Sequence, residues 1–156
     1  EKAVAWHGLI GAFGFIVTFS IAFYLAKLAK KNGAKMIHFA CLLFGAISFL
    51  WFPTIQNQYV FFAVSIGYGI AWASMMGIPY LMVVAVIPKE RYGVYMGIIN
   101  MMIVIPMIIQ NLSFGYILKN FLDNDPRQAI SFAGVLLVLA AICTLLIKIK
   151  NTKVSE

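Results

Sequence analysis

Long apolar stretches alternate with short polar connections along the 156 residues of the chain. Five intervals contain no Asp, Glu, Lys or Arg, and they cover residues 4–26, 36–52, 59–87, 92–118 and 129–147. A helix of roughly 17 to 25 apolar residues crosses the hydrocarbon core of a bilayer, and longer helices cross when they are tilted or kinked. The pattern therefore predicts an all-α integral membrane protein with five transmembrane helices.

The composition excludes a typical soluble domain. Hydrophobic residues make up 63% of the chain and charged residues 11%, and the mean hydropathy is +0.93. Soluble domains contain about 25% charged residues. The net charge of +7 does not indicate nucleic-acid binding, because the basic residues lie at helix ends and not on one solvated face. Cys41 and Cys143 lie in mid-span and are interpreted as small hydrophobic residues, so no metal or cofactor is expected.

Basic residues mark alternate connections between the helices. The connection at 27–35 contains four lysines and no acid, whereas the connection at 53–58 contains no charge. The positive-inside rule places the first connection on the cytoplasmic side, together with Lys89, Arg91 and the tail lysines Lys148, Lys150 and Lys153. The chain would then start outside and end inside a plasma or inner membrane. Because an outside start with five helices is unusual for a complete chain, we expect a piece of a longer polytopic protein.

Aromatic residues and histidines near the helix ends fit the belts found at membrane interfaces. Trp6, Trp51 and Tyr59 lie near the outer ends, and Tyr24, Tyr92 and His38 lie near the inner ends. The other histidine, His7, is expected to anchor at the outer interface, with proton coupling as the less favoured alternative.

Two of the predicted helices are almost uniform in composition. Residues 36–52 and 129–147 consist mainly of Leu, Ile, Ala, Val and Phe. Such helices offer few groups that could bind a polar ligand. We therefore expect both at the lipid-facing periphery of the bundle.

The interval 59–87 has an irregular pattern. Pro79 frees a backbone carbonyl and kinks the helix, which lipid tolerates only where protein or water satisfies the backbone. Small residues four positions apart permit close helix packing. This ridge consists of Gly69, Ala73 and Gly77. At about 100° per residue, a different face carries Ser65, Tyr68 and Trp72.

The interval 92–118 also combines small residues, a proline and amides. Asn100 and Asn111 fall on nearly the same helical face, Gln110 lies beside them, and Pro106 lies between. Amides inside a membrane are costly unless they face a partner or a cavity. The sequence leaves two interpretations open, which are hydrogen bonding between helices and the lining of a polar ligand path.

The basic connection resembles a loop of the major facilitator superfamily of transporters. Residues 26–35, AKLAKKNGAK, are similar to the loop G-x-L-a-D-r-x-G-r-k that joins the second and third helices of each half in that family. Here Ala26 replaces the leading glycine, Lys30 replaces the acid and Ala34 replaces a basic residue. The gating interaction of that acid is therefore not carried over to this chain.

A second resemblance is to the sucrose and maltose carriers, a branch that includes proton symporters. It lies in WASMMGIPY at 72–80, PKERYGVYMGIIN at 88–100 and IVIP at 103–106, which are similar to the tenth and eleventh helices of that branch. The resemblance implies that the chain supplies helices 8–12 of a twelve-helix fold, whose amino-terminal half is missing. It also implies alternating access, in which two halves rock about a central site.

The resemblance assigns roles to individual residues. Helices 8, 10 and 11 would line the cavity and bind a sugar through aromatic faces and through amides, which both donate and accept hydrogen bonds. The substrate-binding candidates are Tyr68, Trp72, Asn100, Gln110 and Asn111. The candidates for gating or helix kinking are Lys31, Gly33, Pro79, Arg91, Gly93 and Pro106, although the basic loop residues fit topology determinants equally well.

The resemblance also implies which partners the chain has. The partners would be a sugar, a coupling proton or sodium ion, the lipid bilayer and the amino-terminal half, whose acid would carry coupling because the five spans contain no carboxylate. A carrier of another solute, such as a drug or peptide, is the alternative. An enzyme is not expected, since His7 and His38 belong to opposite sides of the membrane, and a channel would need a charged ring or selectivity loop.

Overall fold

The computed structural model describes residues 2–148, with side chains from Val4 onward, and it is built from long helices. Within these residues, five helices are long and apolar enough to cross a membrane, which confirms the predicted fold class. The tail lysines Lys150 and Lys153 lie outside the described residues. The helices are α1 Lys2–Asn32, α2 Ala34–Trp51, α3 Phe61–Val84, α4 Tyr92–Phe121 and α5 Pro126–Leu146.

The first connection is shorter than its charge pattern predicts. α1 continues through most of the basic segment to Asn32, so that Lys30 and Lys31 lie in its last turn, where positive charge interacts favourably with the helix dipole. Gly33 alone separates α1 from α2. Its φ of 91° lies in the left-handed region that glycine adopts without a steric cost. This residue therefore allows the chain to reverse direction without a loop.

The connection between α4 and α5 shows why α5 starts at Pro126. Asp123 and Asn124 adopt φ angles of 48° and 56°, in the left-handed region that Asp and Asn tolerate better than most residues. The carboxylate of Asp125 then caps α5 by accepting a hydrogen bond from the backbone N–H of Arg127 at 2.9 Å. Pro126 occupies the first helical turn, where it has no N–H to leave unsatisfied.

α2 packs more extensively than its uniform apolar sequence indicates, although it also carries an exposed apolar face. α2 lies between α3 and α5 and also contacts α1, whereas α3 packs against both α1 and α2. α5 packs mainly on α2, and α4 has only slight contact with α3 and is mostly exposed. A uniform apolar helix gives no periodic signal for the face that packs. Small residues, including Gly45 and Ser48, decide the contact instead.

Glycines on α3 permit close approach of two different helices. A Cβ atom added at Gly67 would overlap the Ser48 side chain of α2, and one added at Gly69 would lie 2.8 Å from the backbone oxygen of Gly14 in α1. Thr18 of α1 donates a hydrogen bond to the Gly69 carbonyl oxygen at 3.2 Å. The predicted ridge therefore packs in part: Gly69 meets α1 and Ala73 is buried, but Gly77 has open space where a Cβ would lie.

His38 lies in the interior of the bundle, contrary to its prediction as an interfacial anchor. Its ring Nδ1 is 2.7 Å from the hydroxyl oxygen of Ser74, and both side chains are buried. The hydrogen bond joins α2 to α3 and satisfies two buried polar side chains. Sequence position alone placed His38 near a helix end, but the orientation of α2 turns this face towards α3.

Ser74→Ala is expected to destabilise the α2–α3 pair modestly. The substitution removes the only hydroxyl bonded to His38 among the described residues. Hydrogen bonds between membrane helices contribute about 0.6 kcal/mol on average, with a maximum near 1.7 kcal/mol. Thermal unfolding of the purified protein in detergent measures the effect. Ser113→Ala is the matched control, since Ser113 is bonded to the Ile109 carbonyl of its own helix, and an equal loss in both variants contradicts the prediction.

Candidate functional site

Aromatic rings from α2 and α3 form a continuous stack. The rings of Tyr68 and Trp72 have centroids 5.8 Å apart and an interplanar angle of 26°, and the ring of Phe49 stacks on Tyr68 at 6.0 Å and 15°. Tyr68 and Trp72 come together because they are four residues apart on one helix. Trp72 is 36% exposed, so part of its indole face is open.

The aromatic stack borders an open groove of about 330 Å³ between α2, α3 and α5. Apart from the aromatic residues, the lining consists of alanine, leucine and methionine, with Met75 from α3 and Leu136 and Leu137 from α5. An apolar aromatic surface of this kind can pack against the C–H face of a ring-shaped ligand. The lining contains none of the candidate amides of α4.

Asn100 contacts Tyr80, which was not among the predicted site residues. The hydroxyl of Tyr80 in α3 donates a hydrogen bond to Asn100 Oδ1 at 2.5 Å, which joins α3 to α4. This bond agrees with the first of the two interpretations of the amides, which is hydrogen bonding between helices. It leaves both N–H groups of the Asn100 amide available, because a primary amide has two donors as well as its oxygen. Asn100 is exposed, so these donors can also contact a ligand.

The other two amides lie farther along α4. Gln110 and Asn111 are exposed, and eleven residues of helix separate Asn111 from Asn100, a distance of about 16 Å along the axis. Asn100 and Asn111 share a helical face, as predicted, but the three amides do not form one compact cluster. The structure also keeps them apart from the aromatic groove.

The gating and kink candidates occupy two kinds of position. Lys31, Gly33, Arg91 and Gly93 are exposed near the ends of helices, and the last two flank the start of α4. Pro79 and Pro106 lie inside α3 and α4, and both helices continue through them. Because proline has no N–H, each removes one helical hydrogen bond. α4 also contains three glycines at which an added Cβ atom would meet no neighbouring atom within 4 Å, namely Gly93, Gly97 and Gly115.

His7 lies at the opposite end of α1 from Lys30 and Lys31. It lines a cleft of about 320 Å³ together with Trp6 of the same helix and Gln58 and Phe61 near the start of α3. The ring of Trp6 packs edge to face against Tyr59, with centroids 5.5 Å apart. These aromatic neighbours agree with an interfacial position. In the part of the chain that the structure describes, no group of three His, Cys, Asp or Glu side chains could hold a metal ion.

Tyr80, Phe49 and Ser74 are the functional or structural partners that sequence reasoning missed. Tyr80 directly follows Pro79, and its hydroxyl is a polar group inside a predicted membrane span, a signal that could have identified it. Phe49 and Ser74 carry no such signal, because phenylalanine and serine are common in membrane helices. Their contacts depend on how α2 and α3 are rotated against each other.

The family model of the Major Facilitator Superfamily matches residues 3–111, which include α1 to α3 and much of α4. The chain belongs to the major facilitator superfamily. It is therefore an integral membrane protein of a superfamily of membrane transporters, in agreement with its apolar helices. No curated protein and no solved structure matches the chain significantly.

Proposed function

We propose that this member of the superfamily transports a sugar of the maltose or sucrose type, coupled to protons, by alternating access. In this proposal the chain supplies helices 8–12 and works with an amino-terminal half. The supporting features are the loop resemblance at 26–35 and the resemblance of 72–106 to the sucrose and maltose carriers. The basic connections support a cytoplasmic carboxyl end in a plasma or inner membrane.

The observation that carries the sugar proposal is the open aromatic face of Tyr68 and Trp72 together with exposed amides on the neighbouring helix. A sugar has both C–H faces and hydroxyl groups. The aromatic pair fits the C–H face, while Asn100, with Gln110 and Asn111, offers donors and acceptors for hydroxyls. α4 has few contacts with the rest of the described chain, so a shift of α4 against α3 would bring its amides towards the aromatic residues.

The proposed gates lie at the helix ends and at the two internal prolines. Gly33 permits the tight reversal between α1 and α2, and Gly93 lies in the first turn of α4 beside Arg91. Pro79 and Pro106 weaken the helical hydrogen bonding where α3 and α4 would bend. Lys31 would complete the gate on the basic side. Coupling is assigned to an acid in the amino-terminal half, because none of the five spans contains a carboxylate.

Uptake by the complete transporter in proteoliposomes tests substrate and coupling together. We expect labelled maltose or sucrose to accumulate when the lumen is alkaline, and a protonophore to abolish the accumulation. Uptake that equilibrates without accumulating would remove the coupling proposal while keeping the sugar. Absence of uptake for both sugars would contradict the proposed substrate class.

The apolar lining of the groove supports a second candidate, a carrier of hydrophobic solutes such as drugs. Apolar groups dominate the surface around Tyr68 and Trp72, and hydrophobic pockets favour such ligands. Efflux of a fluorescent lipophilic cation by the same proteoliposomes distinguishes the two candidates. Transport of this dye without competition by maltose or sucrose would favour the second.

A further inference from the structure

Two clefts open at the basic end of the bundle, which is formed by the end of α1, the start of α2 and the carboxyl ends of α3 and α5. Their volumes are about 610 Å³ and 520 Å³. They share Ala34, Leu81 and Ala85 as a common wall. Lys30 lines the first cleft, whereas Lys35 and Lys148 line the second. Among the residues that the structure describes at either cleft, the charged groups are all lysines.

Lys35 is held in place by a contact across the bundle. Its ammonium group donates a hydrogen bond to the Ile147 carbonyl oxygen at 2.8 Å, just beyond the end of α5. An ammonium group has three N–H donors, so two remain available for an anion. The contact also brings Lys148 to the same cleft. Two lysines that are distant in sequence therefore face one opening.

The walls of the clefts are apolar and their edges are cationic. Leu81, Met82 and Val84 of α3 contribute hydrocarbon surface, and the lysines lie around it. In a membrane transporter, the end of a transmembrane bundle lies at the level of the lipid headgroups. Basic pockets between helices at this level suit acidic lipid headgroups, with the acyl chains lying against apolar helix surface.

We propose that this basic end binds an acidic phospholipid, with its phosphate at Lys35 and Lys148 in one cleft and at Lys30 in the other. The combination of a cationic rim and a hydrocarbon wall matches both parts of a lipid molecule. Inorganic phosphate could interact with the cationic rim but has no apolar part to lie against the hydrocarbon wall. The occupant is therefore a lipid and not a free anion, and its site is separate from the proposed sugar site.

The proposal is tested by measuring how much spin-labelled phosphatidylglycerol and how much spin-labelled phosphatidylcholine the complete transporter immobilises in nanodiscs. We expect the immobilised fraction to favour phosphatidylglycerol. Lys35→Gln and Lys148→Gln should each reduce this preference about fivefold, since a lysine near an acidic lipid contributes roughly that factor. Lys30→Gln should do the same at its cleft. Lys35→Arg should keep the preference for phosphatidylglycerol, because the guanidinium keeps the charge and donates hydrogen bonds.

Lys27→Gln is the matched control, since Lys27 lies on the same end of α1 but does not line either cleft. Equal loss in this variant would show that only general surface charge attracts the lipid and would overturn the proposal. Displacement of the lipid by millimolar inorganic phosphate, without dependence on the acyl chains, would also overturn it. Lys30 and Lys148 are exposed, so their variants remain informative if Lys35→Gln impairs folding.

Discussion

Gly67→Ala is expected to destabilise the contact between α2 and α3 by about 1 to 3 kcal/mol, the usual cost of overpacking a well-packed interface. The new methyl group would overlap the Oγ and Cβ atoms of Ser48 and approach the backbone oxygen of Phe44 at 3.2 Å. A backbone oxygen cannot move aside without bending α2. The clash should therefore outweigh the gain in helix propensity, which is at most about 1 kcal/mol for this substitution.

Gly77→Ala on the same helix provides the matched control. A Cβ atom at Gly77 meets nothing within 4 Å, so this variant should keep or slightly raise stability. Unfolding of the purified protein in SDS measures the stability of both variants, Gly67→Ala and Gly77→Ala. Combining Gly67→Ala with Ser48→Gly should recover part of the loss, because the second change removes the overlapped atoms. If Gly67→Ala is as stable as Gly77→Ala, the close contact between α2 and α3 is wrong.

Asn100→Ala is expected to raise the KM for uptake of the proposed sugar about 10- to 30-fold while the amount of protein at the cell surface stays unchanged. The substitution removes both free N–H donors that face the exposed side of α4. Loss of a hydrogen bond to a bound hydroxyl, with its partner left unsatisfied, costs about 1 to 3 kcal/mol. This free energy corresponds to a change of about 5- to 160-fold in affinity, and the expected change in KM lies inside that range.

Tyr80→Phe separates the binding role of Asn100 from its structural role. This variant removes the hydroxyl that bonds Asn100 Oδ1 but leaves the amide itself in place. We expect its KM to change less than threefold, a small effect for one neutral hydrogen bond between helices. Asn120→Ala should leave uptake unchanged, because the Asn120 amide is bonded to the Tyr116 carbonyl of its own helix. An equal rise in KM in Asn100→Ala and Tyr80→Phe would show that Asn100 acts only through its contact between the helices and does not bind substrate.

The positions of the helices could be predicted from the sequence because the cost of charge in lipid is local. Each of the charge-free intervals contains the greater part of one helix, and the differences lie at the ends. α1 extends past residue 26 because lysines are compatible with the last turn of a helix. α5 starts before residue 129 because Asp125 caps it and Pro126 begins it, a short signal that charge counting overlooks.

The candidate site was only partly predictable. Tyr68 and Trp72 form the expected pair, since residues four apart on a helix always lie close together. Asn100 lies on the expected face, but its partner Tyr80 is on another helix. Phe49 completes the aromatic stack from a helix that was expected at the periphery. Such contacts depend on helix rotation and crossing, which hydrophobicity does not encode when every face is apolar.

Sequence alone determined the five membrane-spanning helices of the described residues, the connections that are basic, and the residues that carry polar groups within the spans. These properties follow from burial costs that act residue by residue. Tertiary structure decided that α2 lies between α3 and α5, that His38 is bonded to Ser74, and that Lys35 contacts the end of α5. Each of these depends on small residues or single donors meeting a partner far along the chain, so only the packed arrangement could specify them.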